Sequence, residues 1–159
     1  MLLDLDKDYD IRVSSATCYK ARKQAQKMIL ETLEEHYNLV PSYIAELKSV
    51  DMNNFFDLQV ERGPNLEAIF KRFYVGFEAL RSGFLRGYRL VISLDGCFLK
   101  TQIRGQLLSV IGRDENNQMF LIAWAVVEGE NQDCWTWFFE RLALDLRITD
   151  GFGMSVISD

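Results

Sequence analysis

Between residues 88 and 158 the chain runs through three apolar strand-like segments, one amphipathic helix and a fourth apolar segment. That order constrains the fold more than any other feature. Tyr88 to Leu94 reads as a first strand ending at Asp95, Gly105 to Gly112 as a second, and Gln118 to Val127 as a third. Asp114-Glu115-Asn116-Asn117 is rich in residues that tolerate turns, so strands two and three are expected to form an antiparallel hairpin. Gly129-Glu130-Asn131 breaks the third strand. Trp135, Phe138, Phe139, Leu142, Ala143 and Leu146 then recur at helical spacing, which predicts an amphipathic helix over 132–147. Asp150-Gly151 is a turn, and 153–158 is the fourth strand. A helix between strands lets the last one return parallel to an earlier one.

Two aspartates stand out against this order. Asp95 follows Leu90-Val91-Ile92-Ser93-Leu94, and Asp159 follows Met154-Ser155-Val156-Ile157-Ser158. If the fourth strand lies beside the first and parallel to it, the two carboxylates meet at one end of the sheet, about 4.8 Å apart. Charges that close repel unless a cation lies between them. Mg2+ takes carboxylate and water oxygens and pairs with phosphates, and such sites act on phosphodiesters. The competing reading of Asp95-Gly96 is a plain turn, since Asp caps local N–H groups. Asp159 is also the chain end. Glu128, Glu130 and Asp133 should emerge at the same end of the sheet as Asp95. They read either as substitute acids or, more simply, as charges favouring the start of a helix.

The first part of the chain, 1–88, is expected to be mostly helical with a short strand pair. Ser14 and Ser15 are candidate N-caps. Ala21, Ala25, Met28, Ile29, Thr32 and Leu33 follow at helical spacing. Lys20, Lys23 and Lys27 form a basic stripe, read either as a solvated face or as a phosphate-contacting one. Asn38 is expected to close this helix and Pro41 to start the next. Phe56, Leu58 and Val60 alternate with polar residues, which suggests a strand, and the Phe70, Arg72, Tyr74 region a second one. A short helix is expected from Gly76 to about Ser82.

Composition narrows the classes. The 159 residues suit one ordinary domain or two small ones, and a hydrophobic fraction of 48% suffices for a core. A net charge of -5 is not that of a free-standing nucleic-acid binder, so DNA contacts would need a local patch. The three cysteines are scattered and there is one histidine, His36, which excludes a structural zinc site. The odd cysteine count and the absence of a secretory signal in 1–10 fit a reducing compartment, cytosolic or nuclear. No run approaches the ~18 apolar residues of a membrane span, so no membrane partner is expected.

Several segments together carry a resemblance. Leu94-Asp95-Gly96-Cys97-Phe98-Leu99-Lys100, Asp114 to Asn117, Ala125 to Glu130, Trp135 to Phe139 and Ile157-Ser158-Asp159 resemble, in order, the motifs of plant Mutator-like (MuDR-type, MULE) transposases. Tyr19-Lys20-Ala21-Arg22 and Phe70-Lys71-Arg72-Phe73 are similar to the region that precedes the catalytic core in that family. The resemblance implies an α+β or α/β chain with an RNase H-like core, strand-strand-strand-helix-strand, over 89–159. It implies a DDE-type active site in which Asp95 and Asp159 are catalytic and hold Mg2+ or Mn2+. It implies DNA transposon ends as partner, a possible homo-oligomer, and action in the nucleus. Lys100 is a candidate phosphate contact beside Lys20, Lys23 and Lys27, and Trp135 and Trp137 are candidate base-stacking groups, with Trp135 better explained as core.

The chain departs from the family pattern at Cys97, read as a packing substitution, and at Thr101. The third acid and the zinc-knuckle tail lie downstream in the family, so this chain is expected to be a fragment without nuclease activity of its own. The other readings are a non-catalytic, domesticated or truncated module that binds DNA or protein, and a remnant with no selected activity.

Overall fold

The computed structural model describes residues 14–87, 90–99, 105–113, 118–148 and 154–157. Its first element is a single helix, α1, from Ser15 to Val50. Ser14 caps it, its Oγ accepting from the Thr17 N–H at 3.1 Å. The expected break at Asn38 does not occur, and Pro41 lies inside the helix. Proline has no N–H to give and crowds the preceding turn, at about 3 kcal/mol in a helix interior. The helix-favouring residues on either side outweigh that local cost. The chain separates at this proline into two compact units, 1–40 and 41–159.

The second unit holds every strand. β1 (Phe55–Arg62) and β2 (Ala68–Gly76) form an antiparallel pair. A helix, α2 (Glu78–Gly87), follows two residues later than the sequence suggests. Then come β3 (Val91–Leu99), β4 (Gly105–Arg113), β5 (Met119–Val127), α3 (Gln132–Leu146) and β6 (Ser155–Ile157). The strands make one six-stranded mixed sheet in the order β1-β2-β5-β4-β3-β6. All pairs are antiparallel except β3–β6, which is parallel. The chain is therefore of mixed α+β class. The early strand pair joins the later strands through β2 and β5. The boundary expected near residue 88, the 114–117 loop and the 150–151 turn lie outside the described residues.

Both α2 and α3 pack on one face of the sheet. Tyr74, Leu108, Val110, Ala125 and Val127 point there, against Phe84 of α2 and Phe138, Leu142 and Leu146 of α3. A bulge helps. The β4–β5 register shifts at Val110/Ile111, so Ile122 and Ala123 are both buried where strict alternation would expose one of them. Asn131 starts α3, its side chain accepting from the Cys134 N–H at 2.9 Å. Arg147 ends it in the left-handed conformation, with φ of 56°.

Charged residues brace this same layer. Arg72, 4% exposed, donates to Glu128 at 2.9 and 2.7 Å, pairs with Asp133, and lies 5.6 Å from the Trp137 ring centroid. Glu128 and Asp133 are thus spent on a clamp between β2 and the start of α3. Trp137 is the more buried tryptophan of α3, and Trp135 only partly so. The apolar face of α3 is rotated relative to the sequence expectation, since Cys134, Trp137 and Asp145 are buried while Phe139 is 37% exposed.

Candidate functional site

Asp95 lies within β3, not at its tip. The strand continues through Gly96 to Leu99, with Asp95 paired to Ser109 and Gly96 to Leu108. The turn reading of Asp95-Gly96 is thereby removed, because both residues have extended, ladder-bonded neighbours. Aspartate is depleted in strands, so this position needs another reason. The side chain is exposed and, among the described residues, its carboxylate has no hydrogen-bond or ion-pair partner.

The direction of that carboxylate follows from its neighbours. A Cβ placed on Gly96 would meet the Glu130 carboxyl at 3.0 Å, and Leu108, opposite Gly96, is fully buried under the helices. Gly96 therefore faces α3. Successive residues of a strand face opposite sides, so Asp95 points to the other face, as do Ser93 and Cys97. Glu130 lies against the Gly96 side of β3. Its carboxylate is hydrogen-bonded by Gln106 Nε2 at 3.2 Å. Glu128 and Asp133 are both held by Arg72. A cavity of about 490 Å3 on the helix side is lined by Gly96, Glu130, Trp135, Phe139 and Val156. Leu94 and Asp95 also line it.

The face that Asp95 occupies carries neither α2 nor α3. A row of register partners crosses it: Asp95, Ser109, Trp124, Val75 and Phe56. The row passes from acid to hydroxyl to apolar. Cys97 is exposed, so packing does not account for it.

The parallel β3–β6 pairing is present, with Val91, Ile92 and Ser93 in register with Ser155, Val156 and Ile157. Asp159 and Lys100 lie outside the described residues. In the first unit, Lys20, Lys23 and Lys27 share one side of α1 and line, with Gln24, Gln26 and Leu30, a shallow cavity of about 510 Å3. Lys27 is 3.6 Å from Glu31, an exposed helical pair of little energetic weight. Among the described residues no group of three or more His, Cys, Asp or Glu side chains is placed to hold a metal ion. No helix among them is long and apolar enough to cross a membrane.

Residues 91–155 match the family model of the MULE transposase domain. Over this stretch the chain is similar to Mutator-like transposases. The matched stretch begins at the first residue of β3 and ends at the first of β6. It includes Asp95 and α3, and leaves α1 with its lysines, the β1–β2 pair and Asp159 outside. No curated protein and no solved structure matches the chain. The Arg72 clamp had no sequence signal, since it joins residues 56 and 61 apart.

Proposed function

We propose that this chain carries the first part of a DDE-type transposase core with RNase H-like architecture. In the intact protein it would serve metal-dependent cleavage and strand transfer of DNA, at transposon ends, in the nucleus of a nucleated cell. Asp95 and Asp159 are the acids that this chain contributes. The observation that carries the reading is the unpaired Asp95 carboxylate in mid-strand, on the strand beside β6. Asp95 and Asp159 each follow the register pair Ser93–Ile157 by two residues. The donor set fits a hard cation: the Asp95 carboxylate, flanked by the hydroxyl-bearing Ser93 and Ser109, offers oxygen ligands of the kind that Mg2+ and Mn2+ take. When bound, such an ion supplies Lewis-acid stabilisation of a phosphodiester oxygen. Asp95 holds and orients; the sheet beneath it fixes its position.

The test is binding of Mn2+ to the purified chain, followed by electron paramagnetic resonance, with and without Asp95→Ala. The expected result is weak binding that this variant removes, and no DNA nicking by the chain alone. Binding unchanged in Asp95→Ala sinks the assignment of Asp95. Robust nicking abolished by Asp95→Ala would overturn the claim that the chain is inactive by itself.

A second reading, a non-catalytic module that binds DNA, is favoured by the clustering of Lys20, Lys23 and Lys27 on one side of α1. It requires DNA binding that is indifferent to both Mg2+ and Asp95.

A further inference from the structure

We infer that Ser109 is a positioning residue for the Asp95 carboxylate. This rests on the reading of Asp95 as a cation ligand and goes one residue beyond it. Ser109 sits directly opposite Asp95 in the β3–β4 ladder. It lies between Leu108 and Val110, both fully buried on the helix side, so alternation turns its hydroxyl to the face that Asp95 occupies. Directly opposed residues of an antiparallel pair have Cβ atoms about 4.5–5.5 Å apart. The two side chains are therefore neighbours across the ladder.

Its direct neighbours across β5 and along β4 are apolar. Across β5 it faces Trp124, and along β4 on the same face stand Leu107 and Ile111. The bond it makes is poor: Ser109 Oγ donates to the Asp95 backbone oxygen at 3.4 Å, against about 2.7–2.8 Å for a good O–H···O bond. A change of rotamer at Ser109 or Asp95 would let that proton turn to the Asp95 carboxylate instead. A hydroxyl both donates and accepts, so it could donate to a carboxylate oxygen of Asp95 and hold it in place were a cation bound. Carboxylates that ligate metals are themselves hydrogen-bonded, and losing that partner typically weakens metal affinity about 10- to 100-fold.

The experiment is a Mn2+ titration of the full chain by electron paramagnetic resonance. It compares the parent with Ser109→Ala, Ser109→Thr, Ser109→Val and Asp95→Ala, with melting temperatures recorded for each. Thr and Val have the same shape and both suit a strand, so they differ at this position only in the hydroxyl. The expected result is about 10-fold weaker Mn2+ binding in Ser109→Ala and Ser109→Val. Ser109→Thr should bind within about 2-fold of the parent. Ser109→Val binding as tightly as Ser109→Thr, while Asp95→Ala loses binding, overturns the role of Ser109 and leaves Asp95 standing. Unchanged binding in Asp95→Ala removes the Asp95 reading and this inference with it.

Discussion

Asp145 shows how much a single buried charge can organise. It is 1% exposed, accepts from the Tyr74 hydroxyl at 2.9 Å and pairs with Arg81, which is itself 6% exposed and donates to the Asn53 carbonyl at 3.1 Å. Burial pushes its carboxyl above the usual range, and the bonds from Tyr74 and Arg81 oppose that push. The Tyr74 hydroxyl is raised too, by burial and then by the nearby carboxylate. Removing one partner of such a pair leaves the other buried and unmatched. Asp145→Ala is therefore expected to cost about 3–5 kcal/mol, read from urea denaturation midpoints. A loss below about 1 kcal/mol would show that water compensates Arg81. Gly76 is part of the same arrangement, since a Cβ there would collide with the Asp145 carboxylate. None of this was legible in the sequence. Asp145 carried no sequence signal, because its partners lie 64 and 71 residues away.

At the scale of elements, strands and helices were the readable part. β4, β5 and α3 fall within one or two residues of the segments that their periodicity marked out, because side-chain alternation is a local property. The misses share a cause. Pro41 and Asp95 are poor formers of the elements they occupy, and in both cases the flanking residues carried the element through. Propensity is a weak local preference, and its neighbours outvote it. For α1 the lysine stripe makes a prediction of its own. If Lys20, Lys23 and Lys27 contact phosphates, replacing all three with Gln should weaken DNA binding and reduce the salt slope by about 3. Fluorescence anisotropy across a salt series reads this directly, with circular dichroism confirming that the helix is retained. An unchanged slope identifies the stripe as a solvated face.

For the whole molecule, ionisable clamps tie the strand pair β1–β2 to the rest. Arg72 joins β2 to the end of β5 and the start of α3, and Arg141 of α3 reaches Asp57 of β1. The Arg72 guanidinium, donating to Glu128, holds that carboxyl below its ordinary value of 4.5. A carboxyl depressed in the folded state stabilises the fold above its unfolded pKa, and that contribution is lost as pH falls through the folded value. Stability should therefore decline below about pH 4.5, and Glu128→Gln should flatten this acid limb. Asp145 works in the opposite sense. Its folded value is raised from 3.8, so its contribution falls as pH rises through the raised value. Urea midpoints of the parent and Glu128→Gln between pH 7 and pH 3 check the difference. Identical acid limbs would show that Glu128 is not coupled to folding.

The sequence alone determined the order of the elements from β3 to β6, the helical character of α1 and α3, and the place of two aspartates after apolar runs. These follow from periodicity and turn chemistry, which act over a few residues. Only the tertiary structure decided that β1 and β2 extend the same sheet, that Arg72 and Asp145 are braced from across the chain, and which face Asp95 looks toward. Facing is a relation between a strand and what packs on it. Gly96 could be assigned to the helix side only once Leu108 and Glu130 were beside it. With that one residue placed, alternation turned Asp95 to the opposite face and set Ser109 next to it.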